Sequence, residues 1–152
     1  MKAYFDTSLL LKSYIQEPGT AEALAILREN EAPFPLSHLL EIELRTAIRL
    51  KHGRGEITEA EMRGALRSLE SDIAAGVLAR PEYDLEEVFR QAEAISAKYA
   101  VATLARSADI WHVAAALKAG CTFFASFDDR QRKCAALAGL KLIPAKLANK
   151  KT

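Results

Sequence analysis

The chain has 152 residues, 50% of them hydrophobic and 27% charged, which fits one domain able to bury a core of its own. Its net charge of +1 lacks the basic excess of a dedicated duplex-DNA binder, yet twenty acidic residues leave room for a basic surface beside an acidic pocket. No targeting peptide and no apolar run of the roughly 20 residues that a bilayer demands is found, and Cys121 and Cys134 read as structural thiols of a cytoplasmic, non-membrane protein.

Ala3-Tyr4-Phe5 is a short β-type run ending at Asp6-Thr7-Ser8, residues that cap helices readily, and a helix from Leu9 to Ile15 follows, stopped near Pro18-Gly19. Thr20 opens a helix over Ala21 to Arg28. Pro33 to Leu36 reads as a short strand, and Ser37 caps a helix from about Leu39 to Lys51 that Gly53-Arg54-Gly55 ends. Thr58 and Glu61 have capping-box spacing before Met62, Leu66, Leu69 and Ile73, which recur at helical period. Asp84 starts another helix with an expected apolar stripe of Leu85, Val88, Phe89, Ala92, Ile95 and Tyr99. Ser107 begins a helix to Ala119, Cys121 to Ala125 is a buried-type strand, Asp128 leads a helix to Ala138, and Leu140 to Ile143 is a last strand. Strands alternating with helices imply an α/β fold with a mostly parallel sheet covered on both faces. Between Glu56 and Arg106 no strand is evident, so that stretch is expected to be a helical hairpin insertion. The domain is expected to span residues 1–145, with 146–152 a basic, frayed tail.

Two aspartates follow strands directly, Asp6 after the first and Asp128 after Cys121 to Ala125. Parallel sheets bind ligands at the carboxyl ends of their strands, so both belong on one edge. An N-cap role accounts for either one taken singly. Glu43 carries more information. At about 100° per residue, Leu39, Leu40, Leu44, Ala47, Ile48 and Leu50 form one apolar arc, and Glu43 projects inside it. Glu41 instead aligns with Arg45 and Arg49 on the polar face. A carboxylate on the core side is costly unless it pairs with a buried Lys or Arg or binds a metal. Asp109 sits on the shoulder of the stripe of Ile110, Val113 and Leu117, in the first turn of its helix, where an acid also complements the helix dipole. Four converging carboxylates would repel one another and raise some pKa values. A Mg²⁺ or Mn²⁺ ion with its preference for hard oxygen ligands relieves that, and phosphodiester hydrolysis is the natural reaction. Zinc is disfavoured, because no thiol or His cluster has ligand spacing.

Phe5-Asp6-Thr7-Ser8, Glu43-Leu44, Asp109-Ile110-Trp111-His112 with Ala114 to Ala116, and Ser126-Phe127-Asp128 before Arg130-Gln131 together resemble the PIN domain, in family order and over nearly the whole chain. Length and layout most closely resemble the VapC-type toxins of toxin–antitoxin pairs. The resemblance implies a three-layer α/β/α fold and Mg²⁺- or Mn²⁺-dependent endoribonuclease activity. It also implies a small antitoxin protein as partner and a homodimer. It matches Asp6, Glu43 and Asp109 to the core acidic positions and Asp128 to a more variable fourth. Ser8 matches the hydroxyl that supports the first aspartate, and Ser126 stands where the family often has Thr. His112 is expected as a supporting polar residue and Asp129 as a solvated charge. By helical projection Trp111 is expected to face away from the core stripe, half-buried or at an interface, and the face of Met62, Leu66 and Leu69 is open to a second copy or an antitoxin helix.

Arg45, Arg49, Lys51 and Arg54, with Arg130, Arg132 and Lys133, are candidates to line the approach of a phosphate backbone, although Arg45 is better read as part of a solvated face paired with Glu41, and none is assigned to RNA. Other readings are a PIN nuclease with a housekeeping RNA-processing or DNA-directed role, a phospho-acceptor module, and a non-catalytic binding domain. An aspartate-nucleophile phosphatase needs a second Asp two residues after Asp6, and Ser8 stands there instead. A receiver needs an acceptor on a middle strand and a late lysine, which the chain does not place well. The intact acid set argues against a binding domain.

Overall fold

The computed structural model describes residues 2–147. Its elements in chain order are β1 (Ala3–Phe5), α1 (Thr7–Tyr14), α2 (Thr20–Arg28), β2 (Phe34–Pro35), α3 (His38–Gly53) and α4 (Glu59–Ala74). They continue with β3 (Leu78–Ala79), α5 (Leu85–Thr103), α6 (Ser107–Lys118), β4 (Phe123–Ala125), α7 (Asp129–Leu137) and β5 (Lys141–Ile143). Every strand pairing is parallel: β1 with β4, β4 with β5, and β2 with β3. Parallel neighbours require crossovers, and each connection carries one or two helices. Helices α1 to α4 pack among themselves, as do α5 to α7, giving the expected three-layer α/β/α arrangement.

Strand β1 is buried on both faces, with Ala3 at 3% exposure and Tyr4 and Phe5 at 0%, as a central parallel strand should be. Tyr4 stacks on Phe124 of β4 with ring centroids 5.6 Å apart, and Phe5 meets Phe34 of β2 edge-on at 4.7 Å. These contacts set β2, β1 and β4 side by side and bring their carboxyl ends to one edge. Asp6 and Ser126 directly follow β1 and β4, and Ser37 comes two residues after β2.

Three expectations need correction. The stretch between Glu56 and Arg106 is not an uninterrupted helical hairpin, because β3 divides it. Phe34 N donates to Val77 O at 2.8 Å and Leu36 N to Ala79 O at 2.8 Å, so two residues of ladder anchor α4 and α5 to β2, in a two-stranded sheet beside the three-stranded sheet β1-β4-β5. Leu50, Leu85 and Phe89 are 48%, 48% and 55% exposed, so the apolar stripes of α3 and α5 are narrower than expected. Core contact on α5 falls to Val88, Ala92 and Ile95, and on α3 to Leu40, Leu44 and Ile48. Finally, Leu69 joins the main core, and Met62, Ala65 and Leu66 of α4 pack on Ile15 and Ile48, so that face is used within the chain itself.

The Thr58–Glu61 capping box forms as expected. Both cysteines are buried and free. Trp111 is half-buried as expected, but it packs against the core rather than facing away from it. Of the expected tail, residues 148–152 lie outside the described residues. Among the described residues no helix is long and apolar enough to cross a membrane.

Candidate active site

The carboxyl edge of the sheet carries a pocket of about 160 Å³ lined by Asp6, Thr7, Ser8, Glu43, Asp109, His112, Asp128 and Gln131. All four acids expected from the sequence share it, brought from β1, α3, α6 and the β4–α7 turn. Asp129, expected as a solvated charge, is exposed and stands outside this lining.

Asp6 is the anchor. It is 3% exposed and caps α1 by accepting from Leu9 N at 3.0 Å. Ser8 Oγ lies 2.8 and 2.9 Å from its two oxygens, and Ser126 Oγ donates to Oδ2 at 2.6 Å. The two serines expected to support the site therefore do so from opposite ends of the chain. Burial nevertheless outweighs these donors and pushes the Asp6 carboxyl from 3.8 up to about 6.

Glu43 is held differently. Burial pushes its pKa up, but His112 Nε2 at 2.7 Å and Thr7 Oγ1 at 2.5 Å reverse the balance and hold the carboxyl below its ordinary value. The expected alternative partner was a Lys or Arg; the actual one is His112. That histidine is 1% exposed, and its Nδ1 lies 2.9 Å from Tyr4 Oη, which in turn lies 2.9 Å from Ser37 Oγ. A buried chain of polar groups thus runs from the cap of α3 through β1 and α6 back to Glu43 on α3. Mutual repulsion among the acids was expected to raise their pKa values. Instead burial sets Asp6, and hydrogen bonding sets Glu43 in the opposite direction.

Asp109 and Asp128 each spend one oxygen on a helix terminus. Asp109 Oδ2 accepts from Arg106 N at 2.8 Å. Asp128 caps α7, its Oδ1 accepting from Arg130 N and Gln131 N at 2.9 Å each. Among the described residues, Glu43 Oε1, Asp109 Oδ1 and Asp128 Oδ2 accept no hydrogen bond from the protein. Capping and pocket-lining therefore coexist in one side chain, and neither sequence reading excludes the other. No group of three or more His, Cys, Asp or Glu side chains among the described residues is arranged to hold a metal ion directly.

The cations are largely committed elsewhere. Arg45 pairs with Glu41 at 2.8 Å, as the helical projection required, and Glu41 also meets Arg80. Lys51 bridges Glu17 and Glu56, both at 2.7 Å. Arg132 is not an approach cation at all: it is 5% exposed, and its guanidinium donates to Ser126 O at 2.9 Å, Ile143 O at 3.2 Å and Pro144 O at 2.6 Å. It ties the end of β5 to the turn that carries Ser126.

Parallel strands between two helical layers, with acids gathered at the strand carboxyl ends, define an α/β protein with an acidic pocket at the sheet edge, the place where parallel folds generally take their ligands. The PIN domain family model matches residues 3–137, and the chain belongs to the PIN domain family, whose members are generally nucleases. No curated protein matches the chain.

Proposed function

We propose that the protein is a Mg²⁺- or Mn²⁺-dependent endoribonuclease, the toxin of a toxin–antitoxin pair, with Asp6, Glu43, Asp109 and Asp128 as the residues that hold the cation. The observation that carries this reading is the shared pocket, in which three of the four acids keep an oxygen without a protein donor. The donor set fits a hard divalent ion: it consists of carboxylates, hydroxyls and one amide, with no thiolate, and the one imidazole, His112, spends its two nitrogens on Glu43 and Tyr4. Mg²⁺ retains several waters and is commonly held by only one or two carboxylates, so a cage of protein ligands drawn tight in advance is not required. When bound, such a cation polarises a phosphoryl group and lowers the pKa of a water, which is the chemistry phosphodiester hydrolysis needs.

The chain's own residues do the rest. Ser8 and Ser126 fix both oxygens of Asp6 in one orientation, and Thr7 and His112 fix Glu43 across the pocket from it. Of the seven cations considered from the sequence, exposed Arg49 and Lys133 and half-buried Arg130 make no ion pair among the described residues and are left for a phosphate backbone. RNA as substrate and the toxin role rest on the resemblance in length and motif order. A homodimer and a small antitoxin covering the pocket belong to the same reading.

Incubation of the purified chain with total RNA, with and without Mn²⁺, tests it. Cation-dependent cuts at reproducible sites, abolished by EDTA and in both Asp6→Asn and Asp109→Asn, are expected, together with growth arrest on expression. Cleavage that persists in EDTA or in both variants overturns the metal mechanism. Cation-dependent cleavage without growth arrest, and without a small neighbouring gene for a partner, replaces the toxin role with a housekeeping one.

A further inference from the structure

Gln131 occupies the third position of α7, after its cap residue Asp128. At that position Gln ordinarily turns back to accept the cap residue's backbone N–H, completing a capping box. Here that N–H is already taken: Asp128 N donates to Ser126 Oγ at 2.9 Å, the same hydroxyl that donates to Asp6. The Gln131 amide is thereby released from helix capping. It is 4% exposed, its Oε1 is buried and has no hydrogen-bond partner, and the residue lines the acid pocket. Buried amide oxygens almost always have a partner, and leaving one without costs more than replacing the group with an apolar isostere.

We infer that the Gln131 amide oxygen is an acceptor for the hydration shell of the divalent cation in the acid pocket, a neutral fifth contributor beside the four carboxylates. The inference rests on the metal-dependent reading above. It explains why Gln131, unlike the pocket's Thr7, Ser8 and His112, which each bond to one of the acids, sits buried there with its amide oxygen unpartnered. It also explains the use of Ser126: one hydroxyl orients Asp6 and, by occupying the cap N–H, frees Gln131 for the pocket.

A structural amide and a cation-facing amide behave oppositely when replaced. Mn²⁺ titration calorimetry on the full metal-free chain, paired with thermal unfolding in EDTA, separates them for wild type, Gln131→Leu and Gln131→Glu. The expected result for Gln131→Leu is about tenfold weaker Mn²⁺ binding, the lower end for loss of an outer-shell partner, with an unfolding temperature in EDTA equal to or above that of wild type. Gln131→Glu is expected to bind Mn²⁺ at least as tightly as wild type and to unfold earlier in EDTA, because a further carboxylate then stands among the acids. Unchanged Mn²⁺ affinity in Gln131→Leu overturns the assignment while leaving the metal reading intact. So does a loss of stability in EDTA with affinity preserved, which marks Gln131 as packing. Failure of wild type to bind Mn²⁺ overturns the metal reading and this inference together.

Discussion

Replacing Asp6 with Asn should stabilise the metal-free protein at neutral pH while leaving little gain in acid. Asp6 is buried, and its carboxyl is raised from 3.8 to about 6. The folded state therefore resists ionisation that the unfolded chain accepts. Below about pH 4 the group is protonated in both states and costs nothing. Between about pH 4 and 6 the unfolded chain loses the proton first, so stability falls, and above about pH 6 the full cost is present. A shift of about two units at 1.36 kcal/mol each amounts to about 3 kcal/mol. The Asn isostere carries no charge at any pH, although its amide nitrogen fits the donors Ser8 and Ser126 imperfectly. That misfit is common to both pH values, so the difference between variant and wild type should be about 3 kcal/mol more favourable to the variant at pH 7.5 than at pH 4. Urea denaturation in EDTA at the two pH values measures this directly. A variant–wild-type difference that does not change with pH, or that favours the variant more in acid, refutes the reasoning.

Three other perturbations follow from named contacts. His112→Ala strips Glu43 of its imidazole partner and leaves Tyr4 Oη with Ser37 alone, which should cost about 2–4 kcal/mol in urea denaturation. The Glu43 carboxyl, now held low by His112, should titrate at higher pH in that variant, as followed by carboxyl-carbon NMR. Arg132→Met removes the donors that hold Ser126, Ile143 and Pro144 carbonyls, with an expected loss of about 2–4 kcal/mol and faster amide exchange along β5. Thr58→Ala breaks a capping box outside the pocket, so it should cost about 1 kcal/mol and leave Mn²⁺ affinity unchanged.

The acids were legible because each obeys a local rule. Asp6 and Asp128 sit where a strand ends and a helix begins, and helical projection separates Glu43 from Glu41, which indeed pairs with Arg45 and Arg80 on the outer face. What holds the acids was less visible. His112 shares a helix face with Asp109, but its partners Tyr4 and Glu43 are 108 and 69 residues away, a proximity only the folded sheet creates. Thr7 looked like part of a cap, yet its hydroxyl serves Glu43. Gln131 did carry a signal, the Asp-x-x-Gln spacing of a capping box. That signal points to the wrong role, because Ser126 competes for the cap N–H. Strand β3 escaped because two residues paired to a two-residue partner leave no periodicity to read. Leu50, Leu85 and Phe89 satisfy helical periodicity, but the width of a stripe depends on how much of the helix the core reaches.

The proposed chemistry requires that a cation enter the four-acid pocket. Anomalous diffraction from crystals soaked in Mn²⁺ locates the ion without recourse to activity. One or more anomalous peaks are expected within the pocket lined by Asp6, Glu43, Asp109 and Asp128, and their loss in Asp6→Asn crystals. A peak found only elsewhere on the molecule, or an undiminished pocket peak in the variant, contradicts that chemistry.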